Sequence, residues 1–63
     1  MKEKNVRLGA EGDHYEVITS QGIWDVFGVK SVKTNFFGTL LLFEGQTSVI
    51  SFSLHQVITW YKA

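Results

Sequence analysis

The sequence predicts an all-β protein: a small antiparallel sheet of four to five strands, strongly bent or closed into a barrel, with no substantial helix. Apolar and polar side chains alternate from Ser48 to Leu54, as in a strand with one buried face. The pairs Gln21-Gly22 and Gly45-Gln46 separate apolar runs, and glycine is typical of the tight turns that join antiparallel strands. No stretch of the 63 residues repeats apolar side chains at helical spacing.

The chain divides into a polar arm, residues 1–13, and one small β domain, residues 14–63. Within the arm, Val6 and Leu8 alternate across Arg7. This pattern predicts either a short strand or a disordered arm, because chain ends are ordered only where they are tied to the rest of a domain.

The first strand of the domain is predicted at residues 14–20, with Tyr15, Val17 and Thr19 on one side of it. The glycine turn that follows leads into a return strand, which begins at residues 23–27. Apolar side chains lie on both faces of this return strand.

Gly28 interrupts the return strand. After it, the apolar positions change from alternate residues to Val29 and Val32, which are three apart. An inserted residue changes the face of every later side chain and bends the strand, so these observations predict a bulge at Gly28. The alternative is that residues 29–33 leave the sheet as a turn.

Three further strands are predicted near residues 38–44, 48–54 and 57–61, with a short turn between the last two. The first and last of these are apolar on both sides. In the last strand, Val57 and Tyr61 share one side, and Ile58 and Trp60 share the other.

A sheet with one face in water should alternate cleanly between apolar and polar residues, and these strands do not. Since no helix is predicted to cover the second face, we expect a second copy of the chain to do so. The predicted interface side chains of this homo-oligomer are Phe36, Leu40, Leu42, Ile58 and Trp60.

The composition narrows the possible stabilising devices. The chain has no cysteine, which excludes disulfides and thiolate zinc sites. Small domains often need a disulfide, a metal or self-association, so self-association is the expected means of stabilisation here.

The net charge is zero, with six basic and six acidic residues, and the sequence therefore lacks the basic excess that is typical of nucleic-acid binders. Residues 1–25 are nevertheless mildly acidic and residues 26–63 mildly basic, which suits contacts between copies.

The sequence gives no indication of a membrane protein. Its apolar runs are far shorter than the roughly 20 residues that a membrane-spanning helix needs. The first residues, Met1 to Asn5, contain no apolar signal core. We therefore expect a cytoplasmic protein that does not bind membranes.

The predicted order of strands and turns resembles the five-stranded bent barrels of the SH3-like and Sm-like classes. The similarity is greatest over residues 47–59, where a turn containing His55 precedes the β-branched run Val57-Ile58-Thr59, as in the second motif of the bacterial Sm-like RNA chaperones. Leu54 stands where that family has a lysine. The resemblance implies a small barrel that binds single-stranded RNA, with His55 as a contact.

Enzymatic chemistry is not predicted. Asp13 and His14 are adjacent on a strand, so their side chains point to opposite faces and form the solvated start of that strand. The serines lie in no nucleophile motif, and neither histidine has a carboxylate at a matched spacing. We predict no catalytic, cofactor or metal site.

Two functions remain. The preferred one is a non-enzymatic interaction module that self-associates and binds a protein partner. The alternative is a single-stranded RNA- or DNA-binding protein, in which cations hold phosphates while bases stack on aromatic rings. Its predicted contacts are Lys30, Lys33, Phe36, Phe37 and His55. The phenylalanines of that set could instead anchor a polar loop to the core. The neutral net charge favours the interaction module.

Overall fold

The structure, a computed structural model, describes residues 3–63 and confirms the all-β prediction. Within this range there is no helix, and seven strands account for the regular structure. They are β1 (Glu3–Arg7), β2 (Asp13–Thr19), β3 (Gly22–Val29), β4 (Ser31–Thr34), β5 (Leu40–Glu44), β6 (Val49–Ser53) and β7 (Val57–Lys62).

The strands form two sheets, ordered β1-β3-β2-β7 and β4-β5-β6. All neighbouring strands are antiparallel except β1, which pairs in parallel with β3. The prediction of four to five strands in one antiparallel sheet is therefore wrong in number and arrangement. Part of the N-terminal arm adds a strand, and the bent return strand divides between the two sheets as β3 and β4.

The bulge predicted at Gly28 is confirmed. Tyr15 pairs with Val26, whereas Asp13, two residues earlier, pairs with Val29, so β3 contains one residue more than β2 at this point. Gly28 has a φ of 75°, a conformation that side chains with a Cβ rarely adopt. A Cβ here would also lie 2.4 Å from the carbonyl oxygen of residue 9.

The bulge marks the place where the chain changes sheets. Only Lys30 separates the end of β3 from the start of β4, and its N–H donates to the carbonyl oxygen of Glu44 on β5. Val29 still belongs to β3, and residues 31–34 form a strand of the second sheet, so the turn considered as an alternative for residues 29–33 is not formed.

The two sheets enclose a core in which aromatic rings meet. Phe43 is fully buried, and its ring lies 5.5 Å from Tyr15, 5.8 Å from Phe52 and 5.7 Å from Trp60, measured between centroids. The remaining buried apolar side chains are Leu8, Val17, Val26, Val29 and Leu41. Because these residues come from both sheets, the core joins them through apolar burial.

The segment after β1 is fastened to the loop between β5 and β6. Leu8 is buried, and its carbonyl oxygen accepts a hydrogen bond of 3.0 Å from the Thr47 N–H. The Gln46 side-chain oxygen accepts from the N–H groups of Ala10 and Glu11 at 3.2 and 3.3 Å. The part of the N-terminal arm from β1 onward is therefore packed on the domain.

The last strand departs from the predicted alternation of faces. A register shift opposite the end of β2 inserts one residue in β7 between Val57 and Thr59. Val57 consequently packs against the core together with Trp60, and the predicted pairing of Val57 with Tyr61 on one side is wrong. The inserted residue, Ile58, is left largely in water.

Candidate interaction surfaces

Strand β7 forms an open edge of the four-stranded sheet. The N–H of Ala63 donates to the carbonyl oxygen of His14 on β2 at 2.8 Å. Because backbone polar groups alternate in direction along a strand, those of Tyr61 also face β2, while those of Trp60 and Lys62 face away from it. Within residues 3–63 no strand pairs with that outer side.

Three large side chains of β7 are partly or mostly exposed at this open edge. Ile58 is 70% exposed, and Tyr61 and Trp60 are each more than one-third exposed. The Trp60 ring is fixed against Phe43 in the core, and the Tyr61 hydroxyl donates a hydrogen bond to Glu16. The two aromatic side chains are thus held in place within one copy, and a contact made with them would carry a lower entropy cost.

The tip of the hairpin between β4 and β5 presents a second apolar surface. Phe36 is 96% exposed and Phe37 81% exposed, and their rings meet edge to face at 5.4 Å. The interpretation that these phenylalanines anchor the loop to the core is therefore wrong. Monomeric proteins rarely expose two adjacent aromatic side chains, and such exposed apolar patches are typical of sites that contact another molecule.

The hairpin tip is held by Asn35. Its side-chain oxygen accepts hydrogen bonds from the N–H groups of Thr39 and Leu40 at 2.8 and 2.9 Å, and its backbone carbonyl accepts from the Gly38 N–H at 3.1 Å. Gly38 has the positive φ, 70°, that closes the turn. Local hydrogen bonds therefore fix the backbone that carries the two rings.

The five predicted interface side chains occupy three places. Side chains alternate between the two faces of β5, and Leu41 and Phe43 point into the core. Leu40 and Leu42 therefore lie on the outer face of the three-stranded sheet. The other three are on β7 or at the hairpin tip, namely Ile58, Trp60 and Phe36. Leu42 and Trp60 are partly packed in a single copy, whereas Phe36 and Ile58 are mostly in water.

The structure brings together part of the predicted nucleic-acid contact. The N–H of Leu54 donates to the carbonyl oxygen of Thr39 at 3.0 Å, so the turn that contains His55 lies beside the hairpin that carries Phe36 and Phe37. This turn is closed by a hydrogen bond from residue 56 to residue 53, as predicted.

The two lysines of that prediction are engaged by carboxylates. Lys33 Nζ lies 3.2 Å from Glu44, and Lys30 Nζ lies 3.9 Å from Glu11. Hydrogen bonds from Lys33 and Ser31 lower the pKa of Glu44 below its ordinary value, which keeps its negative charge beside Lys33. The two lysines nearest the exposed phenylalanines in the sequence therefore have their positive charges balanced by carboxylates of the same chain.

The charge difference between the two halves of the sequence is also compensated inside one copy. Lys30 pairs with Glu11, and Lys62 Nζ lies 3.5 Å from Asp13. Both pairs join an acid of residues 1–25 to a lysine of residues 26–63. Charge alone consequently gives little preference for contact between copies.

One cluster was missed by the sequence interpretation. His14 Nε2 is hydrogen-bonded to Asp25 Oδ1 at 2.9 Å, and its ring stacks on Phe27 at 4.2 Å. His14 is therefore half-buried and not a solvated strand start, and it does have a matched carboxylate. Glu16 pairs with Asp25 across the β2–β3 hairpin, which places Asp25 diagonally opposite His14 on the same face. The turn predicted at Gln21-Gly22 would instead pair Asp25 with Ile18, so the pair could be found only with the observed register.

This cluster borders an open depression on the outer face of the four-stranded sheet. The depression has a volume of about 350 Å³ and is lined by Asn5, Val6, Arg7 and Phe27. The guanidinium of Arg7 lies 5.3 Å from the centre of the Phe27 ring, within the range of a cation–π contact. Phe27 thus links the depression to the His14–Asp25 pair.

No protein-family model, curated protein or solved structure matches this chain. Residues 3–63 contain no helix that could cross a membrane. Over the same range, no three histidine, aspartate or glutamate side chains are placed to share a metal ion.

Proposed function

We propose that this protein is a non-enzymatic β interaction module that self-associates and also binds a protein partner. The observation that carries the proposal is that one folded copy leaves Phe36, Phe37 and Ile58 mostly in water. Burial of apolar surface is worth about 25 cal/mol per Å², so covering these side chains would contribute several kcal/mol. That is comparable to the whole stability of a domain this small.

The two exposed surfaces have different roles in this proposal. The β7 edge combines an open backbone with apolar side chains, which is the combination that pairs with another strand. The hairpin tip is convex and ends in two rings, so it suits a pocket on a protein partner, where aromatic side chains are frequent anchors.

Light scattering from about 1 to about 100 μM tests the proposal, because association depends on concentration. We expect a mass above that of one chain in the upper part of this range. Ile58→Lys, which places a charge on the β7 edge, should lower the mass to that of a monomer. The control is Val49→Lys, since Val49 is 56% exposed on a different strand and should leave the mass unchanged. A folded wild-type monomer at every concentration would refute the proposal.

The barrel predicted from the resemblance to SH3-like and Sm-like proteins stays part of the proposal. Two connections support it. Strands β3 and β4 are separated by one residue and bend from one sheet into the other at the Gly28 bulge, and a three-residue turn joins β6 to β7. The expectation of a cytoplasmic protein likewise stays a prediction.

Nucleic-acid binding is the second candidate, and the exposed pair Phe36-Phe37 beside the His55 turn favours it. The ion pairs of Lys30 and Lys33 with carboxylates weigh against it. Fluorescence anisotropy with a mixed-sequence oligonucleotide at low salt tests this function, because electrostatic affinity is greatest there. Binding that disappears when both phenylalanines are changed to alanine would support it, and no binding at low salt would exclude it.

A further inference from the structure

We propose that two copies join through their β7 strands, which pair antiparallel about a two-fold axis at Tyr61. The junction would merge the two four-stranded sheets into one sheet of eight strands. This inference rests on the proposed self-association and names the surface that produces it. A two-fold axis is the commonest symmetry of protein oligomers and requires a surface that is complementary to itself.

Strand β7 is the edge best suited to this pairing. Strand β1 carries the cations Lys4 and Arg7, and β4 has only four residues, among them Lys33. Charged and short edges resist pairing. Strand β6 is uncharged but alternates with small serines, whereas β7 has six residues, a single charge at its end and three large exposed side chains.

The backbone of β7 fixes the register. The outward N–H and C=O groups belong to Trp60 and Lys62. With the axis at Tyr61, Trp60 lies opposite Lys62 of the second copy, and each such pair exchanges two hydrogen bonds. The junction then has four backbone hydrogen bonds and leaves none of these outward groups unpaired.

Other positions of the axis are less favourable. An axis at Lys62 would place two ammonium groups directly opposite each other, which is destabilising across a sheet. An axis at Trp60 would place Lys62 opposite Ile58, which is the inserted residue where the strand is irregular.

The side chains suit the register at Tyr61. Trp60 and Lys62 share one face of β7, so each lysine would lie beside the indole ring of the other copy, in a cation–π contact. The two Tyr61 side chains would meet on the opposite face, at the axis. Aromatic pairs directly opposite each other are among the favourable cross-strand pairs.

Proline at position 62 tests the backbone bonds. The N–H of Lys62 faces away from β2, so Lys62→Pro removes a bond of the junction and none within one copy. Lys62→Ala is the matched control, since both variants lose the ion pair with Asp13 and only alanine keeps the N–H. We expect Lys62→Ala to dimerise somewhat more weakly than the wild type, because it loses the cation–π contacts with Trp60, and it is the reference against which the proline variant is compared. Lys62→Pro should dimerise roughly thirtyfold more weakly than Lys62→Ala, because its dimer lacks two further backbone hydrogen bonds.

A cysteine at the axis tests the register. The wild-type chain has no cysteine, so Tyr61→Cys introduces one. Residues opposite each other in a pair without backbone hydrogen bonds have Cα atoms about 4.5 Å apart, which is within disulfide range. We expect the oxidised native variant to form a covalent dimer. Val49→Cys, on an exposed position of β6, should not form one.

The outcomes separate this junction from the proposed function. If the wild type associates but Lys62→Pro behaves like Lys62→Ala, or Tyr61→Cys stays reduced and unlinked, the junction is wrong and self-association uses another surface. If Lys62→Pro does not fold, the cysteine experiment decides alone. A wild type that is monomeric throughout would overturn both the junction and the proposed function.

Discussion

Glu44 shows at the scale of one residue how the fold makes stability depend on pH. Its pKa in the folded chain lies below the ordinary value of 4.5, because Lys33 and Ser31 donate hydrogen bonds to its carboxylate. A lowered folded-state pKa means that the stabilisation is fully present above the unfolded-state value. It is lost as the pH falls through the folded-state pKa.

We therefore expect Glu44→Gln to be less stable than the wild type above about pH 5, by a constant difference in melting temperature. Below that pH the difference should shrink, since the wild-type carboxyl becomes protonated. Thermal unfolding between about pH 2.5 and 7 measures this. Ser31→Ala, which removes one of the two donors, should show a smaller effect of the same form. A difference that does not change with pH would contradict the assignment.

Two phenylalanines give a matched comparison between burial and exposure. Phe43 is fully buried among three aromatic rings, whereas Phe36 is almost entirely in water. Phe43→Ala should cost about 3–5 kcal/mol, which is a large part of the stability of a domain of this size. Phe36→Ala should change the free energy of unfolding by less than about 0.5 kcal/mol. Urea denaturation at low protein concentration measures both values, and equal costs would mean that Phe43 is not buried in solution.

At the scale of the strands and turns, two glycines separate backbone strain from steric contact. Gly28 and Gly38 have similar positive φ values, 75° and 70°. A Cβ at Gly28 would lie 2.4 Å from backbone of the segment after β1, whereas a Cβ at Gly38 would have no atom within 4 Å. Only the bulge is therefore closely packed against another part of the chain.

We expect Gly38→Ala to cost about 1–2 kcal/mol, which is the strain of an alanine at positive φ. Gly28→Ala should cost about 3–5 kcal/mol, because the segment at residue 9 must also move away. Chemical denaturation of the two variants gives the comparison. Similar losses would mean that the close approach at the bulge is not maintained in solution.

The elements that the sequence predicts well are those set by local chemistry. The existence of the β2–β3 hairpin and the bulge at Gly28 follow from turn residues and from alternation within a few positions. The turn predicted at Gln21-Gly22 is formed one residue earlier, by Ser20 and Gln21, and Gly22 already pairs with Thr19. The parallel pairing of β1 with β3 does not, because nothing local distinguishes it from a disordered arm.

The candidate surfaces were predictable only in part, for the same reason. Two-sided apolar strands indicate surplus apolar surface, and Ile58 is indeed exposed. Whether Phe36 and Phe37 lie in the core or in water depends on where the hairpin tip projects, and that is decided by packing between sheets. The His14–Asp25 pair requires the register to be counted across the hairpin.

For the whole molecule, self-association makes the melting temperature depend on protein concentration, because dimerisation stabilises the folded state by mass action. A tenfold increase in concentration should raise the melting temperature by about 3–6 °C for a domain of this size. The chain has no cysteine, so covalent linkage does not contribute to this effect. The exposed Ile58 offers the control, since Ile58→Lys should melt at the temperature of the dilute wild type and show no dependence on concentration. Wild-type melting that is independent of concentration would mean that one copy is stable without a second.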